Sequence, residues 1–292
     1  MILGSIEAGG TKFVCAVGDE NYKILDKIII PTTTPEETLK KSIDFFKQKE
    51  GLCSLSISTF GPIEDEVESE QYGYILNTPK KGWKHIDFLK PFKEALDIPI
   101  IINTDVNGSA YGEYITMLKN NKNINSLVYL TIGTGIGGGV VVNGEIQKNY
   151  RHPEMGHLIV KRHSVDKYFN GICPFHKNCL EGLASGPSIE ARLKVKGENV
   201  ESDHYIWDVL AYYIAQSIYQ VTMVLRPECV IIGGGVVNLQ LLNKVKEEYE
   251  NLCNNYIDFP NINNYINMPN NNENTSATIG NFALAHENIQ HL

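Results

Sequence analysis

Residues 2–17 read Ile2-Leu3-Gly4-Ser5-Ile6-Glu7-Ala8-Gly9-Gly10-Thr11-Lys12-Phe13-Val14-Cys15-Ala16-Val17, and the way this stretch folds decides the architecture. Residues 2–7 form a short apolar strand, residues 13–17 resume as a second, and residues 24–30 suit a third. A strand, a glycine turn and a returning strand make a hairpin whose tip is bare backbone, able to bring N–H groups close to a phosphate. Thr11 adds a hydroxyl and Lys12 a cation. Taken alone, the same residues equally describe a plain hairpin turn. They have an echo, however. Residues 127–132 form an apolar strand, Gly133-Thr134-Gly135-Ile136-Gly137-Gly138-Gly139 follows, and residues 140–146 complete a hairpin through Asn143-Gly144. Two units of one layout point to a duplicated fold that grips phosphates between its halves.

The chain of 292 residues is long enough for two domains. Its hydrophobic content of 42 % is that of an ordinary globular protein. A net charge of −8 argues against nucleic acid as a partner. No apolar run approaches the ~18–20 residues that span a membrane, and residues 2–6 open as a strand rather than a signal peptide. Cys15, Cys53, Cys229 and Cys253 stand singly and read as reduced core residues, which places the protein in the cytoplasm.

Between the two hairpins, residues 34–49 form a capped helix and residues 55–58 a strand ending at Phe60-Gly61-Pro62. Residues 72–83, rich in turn formers and aromatics, suit a long ordered loop. A strand at residues 98–103 and a helix at 107–118 flank Thr104 and Asp105. An acid at a strand end is well placed for ligand contact, and equally well placed as a helix N-cap. Ser185-Gly186-Pro187 opens a helix whose N-terminus can face an anion. Residues 205–226 form a long core helix, and a strand at 229–232 runs through Gly233-Gly234-Gly235 into another helix. Those glycines either let a flat ring lie on backbone or make a tight turn. Residues 254–276, dense in Asn and Pro, read as a surface loop before a last helix.

The chemistry concentrates in residues 154–181. Cys173, His176 and Cys179 fall within seven residues, and His157 lies sixteen upstream of Cys173. Thiolates and imidazoles at this spacing suit tetrahedral zinc. A set of His157, Cys173, His176 and Cys179 is closed, so the metal is structural and leaves no position for a water. Glu154 and Glu181 flank the cluster, and if the ligands converge both carboxylates are carried to one place, where a polyhydroxylated substrate would need them. The metal is therefore expected to hold those two carboxylates in register.

Together these motifs resemble the ROK sugar kinases, and most closely the bacterial zinc-containing fructokinase branch. The resemblance rests on Gly9-Gly10-Thr11-Lys12, Asp105, the run from Gly133 to Gly139, Glu154-x-x-His157 with the Cys/His cluster, and Gly233-Gly234-Gly235. Phe60-Gly61-Pro62-Ile63, Tyr72-Gly73-Tyr74-Ile75 and Thr78-Pro79-Lys80-x-Gly82-Trp83 carry the finer match. The resemblance implies an α/β, two-domain actin/hexokinase-like (ribonuclease H-like) ATPase fold with a central cleft. The expected domains are residues 1–120, joined by a C-terminal helix at 276–292, and residues 121–275. It also implies transfer of a phosphoryl group from ATP, with magnesium, to the 6-hydroxyl of D-fructose or another hexose. By position, Asp105 is the general base, and Gly61, Thr104, Asp105, Glu154, His157 and Glu181 contact sugar. Gly9, Gly10, Thr11, Lys12, Gly133 and Thr134 hold phosphates, and Pro187, Gly233, Gly234 and Gly235 take the nucleotide. Glu7 stands where most of the family has Asp, and Thr104 where many glucose kinases have Asn. A homodimer is implied, with no nucleic-acid or membrane partner. Relatives that act as sugar-responsive repressors carry a helix-turn-helix ahead of the first glycine loop, which here begins at residue 8.

Overall fold

The computed structural model describes residues 1–78, 80–147, 151–271 and 275–290. Pro79 of the Thr78–Trp83 motif, and residues 291–292 of the expected last helix, lie outside the described residues. The chain forms two compact units, Met1–Asn123 with Ile146–His152 and Asn270–Leu292, and Ile124–Glu145 with Pro153–Pro269.

The first unit is built on β1 (Ile2–Ala8), β2 (Lys12–Gly18), β3 (Ile24–Pro31), β4 (Leu52–Thr59) and β7 (Ile100–Thr104), with β5 (Tyr74–Ile75) and β6 (Ile86–Asp87) as a separate small pair. The main sheet runs β3-β2-β1-β4-β7. Strands β1, β2 and β3 pair antiparallel as successive hairpins, whereas β1, β4 and β7 pair parallel. The second unit holds β8 (Ser126–Ile132), β9 (Ile136–Val142), β10 (Glu145–Ile146), β11 (Cys229–Gly233) and β12 (Ile266–Asn267), in the order β10-β9-β8-β11-β12. Numbered within each sheet, both orders read third, second, first, fourth, fifth. The duplication inferred from the glycine hairpins is thus a duplication of sheet topology.

Helices α1 (Pro35–Lys47), α2 (Lys90–Ala95), α3 (Asp105–Lys119) and α9 (Ser276–Gln290) belong to the first unit. Helices α4 (Leu180–Ala184), α5 (Gly186–Leu193), α6 (Ile206–Leu225), α7 (Leu239–Cys253) and α8 (Ile262–Tyr265) belong to the second. Thr34 caps α1, its hydroxyl accepting from the Glu37 N–H at 3.3 Å, as its Thr-Pro-Glu-Glu start requires. Trp83 is fully buried, donates to the Thr33 carbonyl at 3.0 Å and lies 5.5 Å from the Phe13 ring, so the loop before it is anchored in the core. Among the described residues no helix is long and apolar enough to cross a membrane.

The expectation of a structureless loop at residues 254–276 is corrected here. Within it, α8 and β12 add a fifth strand to the sheet, Val230 pairing with Ile266 and Ile231 with Asn267. Tyr265 and Ile266 are buried, and two apolar residues among asparagines are too few to show any period.

Helix α9 packs on α3 and on the strands β1 and β4. The two helices approach so closely that a Cβ on Gly112 would lie 1.8 Å from the Ser276 carbonyl oxygen. Asn281 on α9 accepts from the Ser56 and Ser58 hydroxyls at 3.0 and 2.6 Å, and donates to the Ser5 hydroxyl and the Ile6 carbonyl at 3.1 and 3.0 Å. Glu113 on α3, fully buried, accepts from the backbone and side-chain amides of Asn270 and Asn271 and from the Ser276 hydroxyl. The segment before Pro153 is tied to the same unit by Arg151 on Glu64 at 3.0 Å and by His152 Nδ1 beside Asp65 at 3.4 Å. Truncating a buried hub costs the desolvation of every partner left behind. Asn281→Ala is therefore expected to destabilise the first unit by about 3 kcal/mol, read as a lower thermal midpoint, and an unshifted midpoint would refute the hub role.

Candidate active site and metal centre

Strand register sets out the site in the first unit. Ala8 lies beside Thr59 and Thr59 beside Thr104, so the residues that follow, Gly9, Phe60-Gly61 and Asp105, all leave one end of the sheet. The Gly9 N–H donates to the Lys12 carbonyl at 2.9 Å, closing the hairpin, and the Thr32 hydroxyl holds the Gly9 carbonyl at 2.7 Å. Gly10, Thr11 and Lys12 at the tip are exposed.

The cap of α3 is not Asp105 but its neighbour. Thr104 is the N-cap of α3, its hydroxyl accepting from the Asn107 N–H at 3.3 Å. Asp105 is the first helical residue, partly exposed, with Oδ1 accepting from the Val106 N–H at 2.9 Å. Thr104 is buried and its hydroxyl serves the cap. Burial pushes the Glu7 carboxyl up to about 7, nearby Asp105 adds to the rise, and Lys12 opposes it. Glu7 and Asp105 thus form an acidic pair at the strand ends, with one lysine beside them.

In the second unit Thr131 lies beside Gly233, which brings the turn after β8 and the turn after β11 to one sheet end. The Gly133 N–H donates to the Gly135 carbonyl at 2.9 Å, and the Gly133 carbonyl accepts from the Gly186 N–H at 2.7 Å. The Val236 N–H reaches back to the Ile132 carbonyl at 3.0 Å. Three turns therefore meet: Gly133-Thr134-Gly135, Ser185-Gly186-Pro187 at the start of α5, and Gly233-Gly234-Gly235. Thr134 and Gly235 are exposed, and the same group of turns includes the N-terminus of α5, the positive end of that helix.

His157, Cys173, His176 and Cys179 converge, their ligand atoms all lying within 4.8 Å of one another. His157 Nδ1 is 3.5 Å from Cys179 Sγ, and Cys173 Sγ is 3.8 Å from both His157 Nδ1 and His176 Nδ1. A tetrahedral ion bound to nitrogen at about 2.0–2.1 Å and to sulfur at about 2.3 Å spaces its ligands about 3.3–3.8 Å apart. The donor chemistry and the spacing both fit. Burial, with Cys173 and Glu181 nearby, pushes the Cys179 thiol up to about 11, a cost that a bound cation reverses. The 3₁₀ turn Met155–His157 presses on β9, where a Cβ on Gly156 would lie 1.9 Å from the Ile136 carbonyl oxygen. Glu154, just ahead of that turn, is exposed.

Two features of the site were not expected. Glu181 Oε2 accepts from the Ile136 N–H at 3.0 Å, so this carboxylate touches the glycine turn. Arg192 on α5 grips Asp166 through Nε at 2.9 Å and Nη2 at 2.6 Å, Tyr213 donates to the same carboxylate at 2.8 Å, and the guanidinium sits 3.7 Å over Phe169. This buried cluster ties the metal segment to α5 and α6. Its members stand 26 and 47 residues apart, so no local pattern announces them.

Residues 3–288 match the ROK family. The chain belongs to the ROK family. Two ROK relatives are 50 % identical to it: the fructokinase of Streptococcus mutans, over 288 residues and 97 % of each chain, and the fructokinase of Lactococcus lactis subsp. cremoris, over 285 residues, 97 % of this chain and 96 % of the relative. The ROK hexokinase of Thermus thermophilus superposes over the full length of both chains with a TM-score of 0.79 at 21 % identity, a likeness of fold. The actin/hexokinase-like α/β fold of ROK proteins is therefore the fold of this chain.

The Glu7 shift has a sign that can be checked. The folded carboxyl titrates near 7 against 4.5 for the ordinary group. The native state binds more protons than the unfolded chain between those values, so stability falls as pH rises through the window. Glu7→Gln removes that loss, and its stability gain over wild type should grow by about 2 kcal/mol from about pH 5 to about pH 8. Urea unfolding without nucleotide or magnesium measures it, and a gain that does not change with pH would contradict the assignment.

Proposed function

We propose that this protein transfers the γ-phosphoryl group of ATP to the 6-hydroxyl of D-fructose, giving fructose 6-phosphate. The observation that carries the reading is the 50 % identity, along nearly the whole chain, to two fructokinases. Asp105 accepts the proton of the attacking hydroxyl, and Thr104, by taking the cap, fixes where α3 begins and which way Asp105 points. Gly61, Glu154, His157 and Glu181 hold the sugar hydroxyls. The turns Gly9-Gly10-Thr11-Lys12 and Gly133-Thr134 offer N–H groups to the phosphates, a preorganised arrangement for charge that grows in the transition state. Pro187 and Gly233-Gly234-Gly235 take the nucleoside end. Glu7, beside Asp105, is the acidic residue at that strand end that would help hold magnesium, which when bound would neutralise phosphate charge. Catalysis here is chiefly positioning.

Zinc is the ion we assign to His157, Cys173, His176 and Cys179, a closed and structural set. Among the described residues the six cysteines form no disulfide, which supports a cytoplasmic protein. The family resemblance supports a homodimer.

Three measurements test this reading. A coupled ADP-release assay across fructose, mannose, glucose and N-acetylmannosamine should give fructose the highest kcat/KM, and a glucose maximum would overturn the substrate. Asp105→Asn should lower kcat by about 10²–10⁴-fold with little change in sugar affinity, whereas near-normal turnover would remove Asp105 from the role of base. Elemental analysis should find one zinc per chain, lost with a lower thermal midpoint in Cys179→Ser. Zinc-free wild-type protein of unchanged stability would remove the metal.

A further inference from the structure

Glu181 occupies an unusual position between two functions. It lies in the first turn of α4, two residues past Cys179, and α4 is fixed there by Leu180 N–H on the Leu158 carbonyl at 2.8 Å and by Ile172 N–H on the Gly182 carbonyl at 3.0 Å. Its Oε2 accepts from the Ile136 N–H, the amide that closes the turn begun by Gly133. The fit is close, since a Cβ on Gly135 would lie 2.8 Å from that oxygen. The Glu181 carbonyl also accepts from the Ser185 N–H at 3.2 Å, and the next residue, Gly186, holds the Gly133 carbonyl. The turn is thus gripped at both ends from one short helix and its exit. Glu181 Oε1 has no hydrogen-bond partner among the described residues.

From this geometry we infer that Glu181 is a positioning residue for the phosphate turn as well as a sugar contact, so that sugar and nucleotide binding are coupled through one carboxylate. The inference rests on the kinase reading given above. A hydroxyl bonded to Oε1 immobilises the carboxylate, and a fixed Oε2 immobilises Ile136 and the turn. A nucleotide arriving second then loses less conformational freedom on binding. Linkage makes the effect reciprocal: nucleotide must raise sugar affinity by the factor by which sugar raises nucleotide affinity.

The test is calorimetric titration of a non-hydrolysable ATP analogue with magnesium, with and without saturating fructose. Wild type should bind the analogue about 5-fold or more tightly when fructose is present. Glu181→Ala should bind it about 10-fold more weakly without any sugar and show no coupling. Glu181→Gln keeps an oxygen for Ile136 and should hold sugar-free nucleotide affinity within about 2-fold, while losing fructose affinity. Hydrogen exchange at the Ile136 amide should be faster in Glu181→Ala than in wild type or Glu181→Gln. Gly135→Ala, whose methyl crowds Oε2, approaches the same contact from the other side and should also weaken sugar-free nucleotide binding. Unchanged sugar-free nucleotide affinity in both Glu181→Ala and Gly135→Ala would overturn the coupling and leave the kinase reading intact. A wild type that binds no nucleotide would overturn both.

Discussion

Backbone register is the constraint on which the site depends. In each sheet an antiparallel hairpin stands beside parallel strands, and the ladder hydrogen bonds bring the exits of the central strands level. Ala8, Thr59 and Thr104 end side by side in one sheet, and Thr131 and Gly233 pair in the other. A shift by one residue would turn every side chain to the opposite face and misplace each exit by about 3.3 Å. The carboxylates and glycine turns are therefore placed by main-chain bonding before any side chain contributes.

What was legible in the sequence was what repeats or clusters locally. The two glycine hairpins disclosed the duplicated sheets, and Cys173, His176 and Cys179 within seven residues, with a histidine upstream, disclosed the convergent Cys/His cluster. Asp105 could be placed at a strand end, where an acid suits a ligand contact and a helix N-cap equally, and only the structure gives the cap to Thr104. The strand β12 escaped because two buried residues give no period. Glu181 was read as a partner of sugar alone because its bond to Ile136 spans 45 residues. Buried hubs such as Glu113 and Asn281 are of the same kind: an ordinary helical residue until the partners come from far along the chain.

Electrostatics distinguishes the strand ends of the two units. Around Glu7 and Asp105, acidic groups crowd a partly buried strand end with one lysine nearby, an arrangement that favours a cation or a proton. Around Gly133, Gly186 and Gly235 the polar groups are backbone amides and the N-terminus of α5, whose positive end favours an anion. The Cys/His cluster is of another kind, four side chains whose donor chemistry suits a closed tetrahedral ion with no place for a reacting atom.

Asn281 also bears on how the protein is made. The Ser5, Ser56 and Ser58 side chains lie at the heart of the first unit, and their hydroxyls bond to an amide that is translated more than two hundred residues after Ser58. The second unit's residues, Ile124–Glu145 and Pro153–Pro269, are all synthesised before that amide. The half of the molecule that begins first thus completes its buried hydrogen bonds only after residue 281 has been made, with the whole of the other unit already synthesised.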